Sequence, residues 1–192
     1  MSTPPHVVAL CGSLRDDSYT RVALGHVLDG AEEQGASTAL VDLREYDLPV
    51  FDADVRDAGD ADTVRAELRA ADTILLGSPM YHGSYSAALK NALDYCGFDE
   101  FEETTVGLLG VSGGSFPTAT LDHLRTVCRA LNAWVLPHQV AIPKARTQFE
   151  GDAFVDESLE ERTATLGKRA VQYARIEPDP RSFESAQNVG GD

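Results

Sequence analysis

Apolar residues in this chain follow two alternating patterns. Short runs that are apolar at most positions, without polar alternation, occur at 6–11, 37–41, 73–77, 105–111 and 134–142 and read as strands. Between them the apolar period lengthens to that of a helix. Val22, Leu24, Val27, Leu28 and Ala31 share one face of a helix predicted over 18–34, and Leu121, Leu124, Val127, Cys128 and Leu131 share one face over 116–132. Further helices are predicted over 61–70, 84–96 and 158–176, whereas 42–59 mixes acids, proline and aromatics and reads as irregular. The run at 73–77 has the unbroken apolar character of a parallel strand covered on both faces. Strand and helix in alternation predict an α/β protein: five parallel strands in a doubly wound sheet, helices on both faces, expected in the order 2-1-3-4-5. One domain over 1–176 is expected, followed by a loose tail at 177–192 that has prolines and glycines but no apolar period.

The charge balance narrows the partners. Acidic residues number 31 against 16 basic ones, for a net charge of −15, and the only lysines are Lys90, Lys144 and Lys168. Such a surface repels nucleic acid and anionic lipid, and with the acids scattered along the chain it suggests a halophilic protein. No apolar run approaches the roughly 20 residues of a membrane helix, and residues 1–5 carry no basic charge, so a cytoplasmic location without membrane contact is expected. Cys11, Cys96 and Cys128 form no Cys-x-x-Cys pair and read as packed thiols. His26, His123 and His138 lack metal-ligand spacing, and no metal site is expected. Nucleophile elbows and Walker loops are absent from the sequence, which removes the hydrolase and nucleoside-triphosphatase readings.

Chemistry is expected where strands end, because open α/β sheets bind ligands beyond the carboxyl ends of their strands. After the first strand, Gly12-Ser13-Leu14-Arg15-Asp16-Asp17-Ser18-Tyr19-Thr20 combines hydroxyls and one arginine just ahead of a helix N-terminus. That combination favours an anion such as a phosphate. Gly77-Ser78-Pro79-Met80-Tyr81-His82-Gly83 leaves the third strand, and Val111-Ser112-Gly113-Gly114-Ser115 leaves the fourth. Three such loops on neighbouring strands describe a mononucleotide site with a planar head group.

At these residues the chain resembles the NADPH-dependent FMN reductase family of flavodoxin-like proteins, whose members include chromate, quinone, azo and flavin reductases. The resemblance runs from about residue 6 to 142. Gly12, Ser13, Arg15, Ser18 and Thr20 match the family pattern that binds the FMN phosphate, with Tyr19 inside it. The stretch from Pro79 to Asp94 is similar to the second family signature, which implies that Pro79, Met80, Tyr81, His82 and Gly83 border the isoalloxazine ring. Ser112, Gly113 and Gly114 match the loop that approaches the pyrimidine edge. His82 departs from the pattern, since many relatives carry asparagine there, so its side chain inherits no role. Leu48-Pro49-Val50-Phe51-Asp52 is similar to an element lying near the subunit interface in relatives, which implies a homodimer or homotetramer. The resemblance implies bound FMN, NADPH or NADH as donor, a small flat acceptor, and no obligatory catalytic side chain, the chemistry being the cofactor's. The alternative is a flavodoxin-like electron carrier without nicotinamide turnover. It is disfavoured because the Gly-Ser-x-Arg element is absent from flavodoxin phosphate loops.

Overall fold

The computed structural model describes residues 3–176. The tail expected at 177–192 lies outside the described residues. Strands β1 (His6–Cys11), β2 (Ser37–Asp42), β3 (Thr73–Pro79), β4 (Thr105–Val111) and β5 (Trp134–Ile142) form a parallel sheet in the order β2-β1-β3-β4-β5. This is the expected flavodoxin-like sheet, with β1 and β3 adjacent at the switch point. Central β4 is buried at all seven positions, which is why its sequence shows no polar alternation. Edge strand β5 tolerates Pro137 because its register against β4 slips between Val106 and Leu108, where the ladder needs no proline N–H.

Helices cover both faces. Helices α1 (Tyr19–Glu32) and α6 (Glu157–Gln172) bury Leu24, Val27, Leu166 and Ala170 against Val7, Ala9, Leu75 and Leu109. On the other face, α2 (Ala61–Arg69), α3 (Ala87–Tyr95), the single turn α4 (Phe98–Phe101) and α5 (Thr118–Ala130) pack Leu68, Leu89, Phe101 and Leu124 on Val8, Leu10, Ile74 and Leu108. After β5 come a 3₁₀ turn at Ala145–Thr147 and a small hairpin of β6 (Phe149–Glu150) and β7 (Ala153–Phe154). Neither they nor α4 were legible, because elements of two to four residues complete no period.

Several boundaries differ from the sequence expectation for identifiable reasons. The helix expected from 84 starts only at Ala87, because Tyr81 to Ser84 closes a turn and Ser86 is the N-cap, its Oγ accepting from the Leu89 N–H at 3.1 Å. The last helix starts earlier than 158, capped by Asp156, whose carboxylate accepts from the amides of Ser158 and Leu159. Strand β3 runs on through Ser78 and Pro79, so the second loop is shorter than its sequence suggested.

Cys11 and Cys128 are buried and Cys96 is half-buried. Burial pushes their thiols up, to about 11, 12 and 12 respectively, so they remain protonated and inert. Each of the three singled-out histidines finds a protein partner. His26 Nε2 lies 2.7 Å from the Asp152 carbonyl, His123 Nδ1 3.0 Å from Ser84 Oγ, and His138 Nε2 3.0 Å from the Arg162 carbonyl. Among the described residues no group of metal-ligating side chains occurs.

The two helices of the first face cross at glycines. A Cβ on Gly167 would sit 1.9 Å from the Val27 carbonyl oxygen, and one on Gly30 would sit 2.4 Å from that of Ala164. Backbone blocks both sites, so the helices must separate to admit a methyl group. Gly167→Ala is expected to destabilise the protein by about 1–3 kcal/mol, the cost of overpacking a tight core. Urea denaturation checks this, and an unchanged midpoint would contradict it.

Candidate functional site

The root of the site is the pair of strand ends β1 and β3. The Gly12 amide donates to the Gly77 carbonyl at 2.8 Å, and the Ser86 hydroxyl donates to the Gly12 carbonyl at 2.6 Å. Glycine is required at both strand ends by close approach. A Cβ on Gly12 would lie 2.7 Å from Leu89 Cβ, and one on Gly77 would lie 2.6 Å from Leu24 Cδ1. Ser78 Oγ accepts from the Ser86 N–H at 2.9 Å and donates to the Pro79 carbonyl at 2.9 Å. The first two loops therefore leave the sheet already fastened together.

The first loop is then held from behind. Arg21, in the first turn of α1, faces the buried Asp42 carboxylate at 3.3 Å, and its Nη2 donates to the carbonyls of Arg15 at 2.9 Å and Asp16 at 2.6 Å. Arg44 adds a bond to the Arg15 carbonyl at 3.1 Å and pairs with the Asp16 carboxylate at 2.9 Å. In a trans peptide the N–H points opposite to the preceding C=O, so anchoring these carbonyls turns the amides of Asp16 and Asp17 away from the two guanidinium groups. Ser18 caps α1, accepting the Arg21 N–H at 3.2 Å, while the Val22 N–H bonds to the Ser18 carbonyl at 3.1 Å. The amides of Tyr19 and Thr20 are the first-turn donors left for a ligand. Beneath the loop, burial holds the Cys11 thiol neutral despite the opposing Ser13 backbone N–H, so the floor carries no repelling charge.

Ten of the residues singled out in the sequence line one cleft: Ser13, Arg15, Ser18, Tyr19 and Thr20 from the first loop, Pro79, Met80 and Tyr81 from the second, Ser112 and Gly113 from the third. His82, Gly83 and Gly114 do not line it. Tyr81 to Ser84 forms a tight turn closed by two backbone bonds, with φ of 50° at His82 and 81° at Gly83. Two left-handed residues in succession define a type I′ turn, which favours Asn-Gly and tolerates histidine at its first position. This accounts for asparagine in many relatives, where the sequence resemblance had noted the departure. Gly114 supports the third loop instead: its N–H donates to Ser112 Oγ at 3.0 Å and its carbonyl accepts from Lys144 at 2.9 Å.

Sequence reasoning placed Asp17 and Val111 in the first and third loops without singling them out, and missed two further lining residues, Ala145 and Arg146. The last two follow β5, a strand end to which the same carboxyl-end rule applies. It also missed Phe149, which stacks on Tyr19 with ring centroids 5.3 Å apart and braces that side of the cleft.

The cleft encloses about 110 Å³. That is well below the roughly 300–1,000 Å³ of sites that engulf a whole small molecule. It suits one polar end of a ligand whose flat part lies along the open rim, where Tyr81 is 50% exposed. A larger hollow of about 580 Å³, lined by Glu102, Glu103, Arg129 and Trp134, sits at the amino end of β5. It is away from the strand carboxyl ends and from every loop discussed above.

A doubly wound sheet with an anion cradle after β1 and glycine-bearing loops after β3 and β4 defines a flavodoxin-like mononucleotide-binding protein. Comparison with known proteins makes the class specific. Residues 5–147 match the family model described as NADPH-dependent FMN reductase. The chain is 39% identical over 141 residues to the FMN-dependent NADPH-azoreductase of Staphylococcus saprophyticus, covering 69% of this chain and 73% of that protein. The enzyme of that name from Staphylococcus aureus is 33% identical over the same share of each chain. Among solved structures, the flavoenzyme NAD(P)H:(acceptor) oxidoreductase from Paracoccus denitrificans superposes with a TM-score of 0.73 at 21% identity, covering 88% of this chain and 97% of that one. An archaeal flavodoxin gives 0.65 at 11% identity, covering 89% and 99%. These structural likenesses establish the fold. The chain belongs to the NADPH-dependent FMN reductase family and is an FMN-dependent NAD(P)H oxidoreductase.

The residues present fit that cofactor. A hydroxyl cluster, an arginine with no ion pair among the described residues, and first-turn amides come together in the cleft, as a phosphomonoester requires. A Cβ on Gly113 would meet nothing within 4 Å, so the third loop presents open backbone to a flat ring.

Proposed function

We propose that Ser13, Arg15, Ser18 and Thr20, with the amides of Tyr19 and Thr20, bind the FMN phosphate, while Pro79, Met80, Tyr81 and the Ser112-Gly113 backbone border the ring. The observation that supports this reading is the convergence of residues from all three loops on one cleft. His82, Gly83 and Gly114 act by shaping the two ring loops. The chemistry supplied by bound FMN is hydride acceptance from the nicotinamide and electron delivery to an acceptor. The chain's residues supply position: Arg15 fixes the phosphate, and the fastened roots of the loops fix the ring relative to it. The open rim at Tyr81 leaves one face to the donor and then the acceptor. Azo compounds are proposed among those acceptors, in keeping with the names of the staphylococcal relatives.

A homodimer is proposed through the apolar face formed by Leu14, Leu43, Tyr46, Leu48 and Val50 beside α3. Asn91 holds this face in shape: its Oδ1 accepts from the Phe51 N–H at 2.8 Å and its Nδ2 donates to the Pro49 carbonyl at 2.8 Å. Val50 and Leu14 are 87% and 59% exposed, which favours cover by a second copy. A cytoplasmic location fits three thiols kept as free cysteines, and cell fractionation that placed the protein outside that compartment would refute it. A high-salt habitat fits the net charge of −15.

Three measurements test this. Arg15→Ala is expected to weaken FMN binding by about 1.5–3 kcal/mol, as for a lost charge-assisted bond, with riboflavin binding unchanged; equal losses for both would refute the phosphate role. Val50→Asp is expected to convert a dimer to monomers by light scattering, and a wild-type monomer would remove the dimer. Raising potassium chloride is expected to raise the thermal midpoint through screening of acidic repulsion, whereas a fall would exclude the halophilic reading.

A further inference from the structure

Cations around the phosphate loop are in short supply. Arg21 and Arg44, which anchor that loop, are paired with Asp42 and Asp16. Within the loop Arg15 stands beside Asp16 and Asp17. A phosphomonoester brings a charge of about −1.5 to −2 at pH 7. Within that loop Arg15 alone, without an ion pair among the described residues, leaves much of that uncompensated in a protein of net charge −15.

A second arginine reaches the same cleft from another strand. Arg146 lines it together with Arg15, is exposed, and makes no ion pair among the described residues. Its backbone is fixed. Lys144 takes the left-handed conformation at φ 48°, and its N–H donates to the Gly114 carbonyl at 2.9 Å. The Ala145 N–H donates to the Ser112 carbonyl at 2.9 Å, and the Thr147 hydroxyl and N–H close the turn on the Lys144 carbonyl. Ala145 is buried, so the 3₁₀ turn is seated against the third loop with Arg146 on its outer side.

We propose that Arg146 is a second cationic ligand of the FMN phosphate, closing the anion site from the side of β5 opposite Arg15. The proposal rests on the preceding reading that the first loop holds that phosphate. Arg146 then supplies the positive charge that Asp17 takes from the loop, Asp16 being already paired with Arg44. It also ties the turn after β5 to cofactor occupancy.

The test is titration of flavin-stripped full-length protein with FMN and with riboflavin at low ionic strength, using wild type, Arg15→Ala, Arg146→Ala and Arg146→Lys. For Arg146→Ala the FMN dissociation constant is expected to rise about tenfold or more, with riboflavin unchanged. Arg146→Lys is expected to keep most of the affinity, which separates lost charge from a damaged turn. An unchanged FMN affinity in Arg146→Ala, with Arg15→Ala impaired, would overturn the proposal and leave the first-loop reading standing. Unchanged affinity in both variants would overturn both. Equal losses for FMN and riboflavin would place Arg146 against the ring or the fold and refute it. A raised KM for NADPH but not NADH, with FMN affinity intact, would assign Arg146 to the donor's phosphate and likewise refute it.

Discussion

The site depends on how closely β1 and β3 approach at their carboxyl ends. Gly12 and Gly77 meet backbone to backbone, and Ser86 binds across them while capping α3. One hydroxyl thus donates to the phosphate-loop carbonyl and accepts from the helix that follows the ring loop. The cap contribution alone is about 1 kcal/mol. Its geometric effect is larger in scope, because it sets the separation between the anion end of the cleft and the rim. A side chain at Gly12 would press on Ser86 and Leu89 at the start of α3, and one at Gly77 on Leu24 of α1.

Electrostatics solves a conflict inherent in this sequence. An acidic surface discourages the phosphate-bearing cofactor that the protein must retain. The response is local: Asp42 is buried against Arg21, Arg21 and Arg44 hold loop carbonyls and not the ligand, and the Cys11 thiol beneath stays uncharged. The positive ends of backbone dipoles at the start of α1 add attraction beside the exposed Arg15.

Much of this was legible in the sequence. Strand positions followed from the short apolar runs, the strand order from the flavodoxin-like pattern that alternating strands and helices suggest, and the three loops from glycines and hydroxyls at strand ends. Contacts that depend on register were not legible. Arg21 meets Asp42 only because α1 and β2 are placed side by side by the sheet, and Ser86 meets Gly12 across 74 residues of chain. His82 and Gly83 were implied as ring neighbours by the family resemblance, and the left-handed backbone that makes them a turn beside the cleft was not legible in the sequence. Arg146 carried the same positional signal as the other loops, a polar residue just beyond a strand, and lacked only a motif around it.

The turn at Tyr81 to Ser84 has a consequence of its own. Its shape is dictated by two left-handed residues and two backbone bonds, and position 82 itself is exposed. The few residue types comfortable there, asparagine, aspartate, glycine and histidine, differ widely in charge and proton affinity yet leave the main chain where it is. Position 82 is therefore a place where charge and proton affinity can change by a single codon change while the main chain of the turn stays where it is.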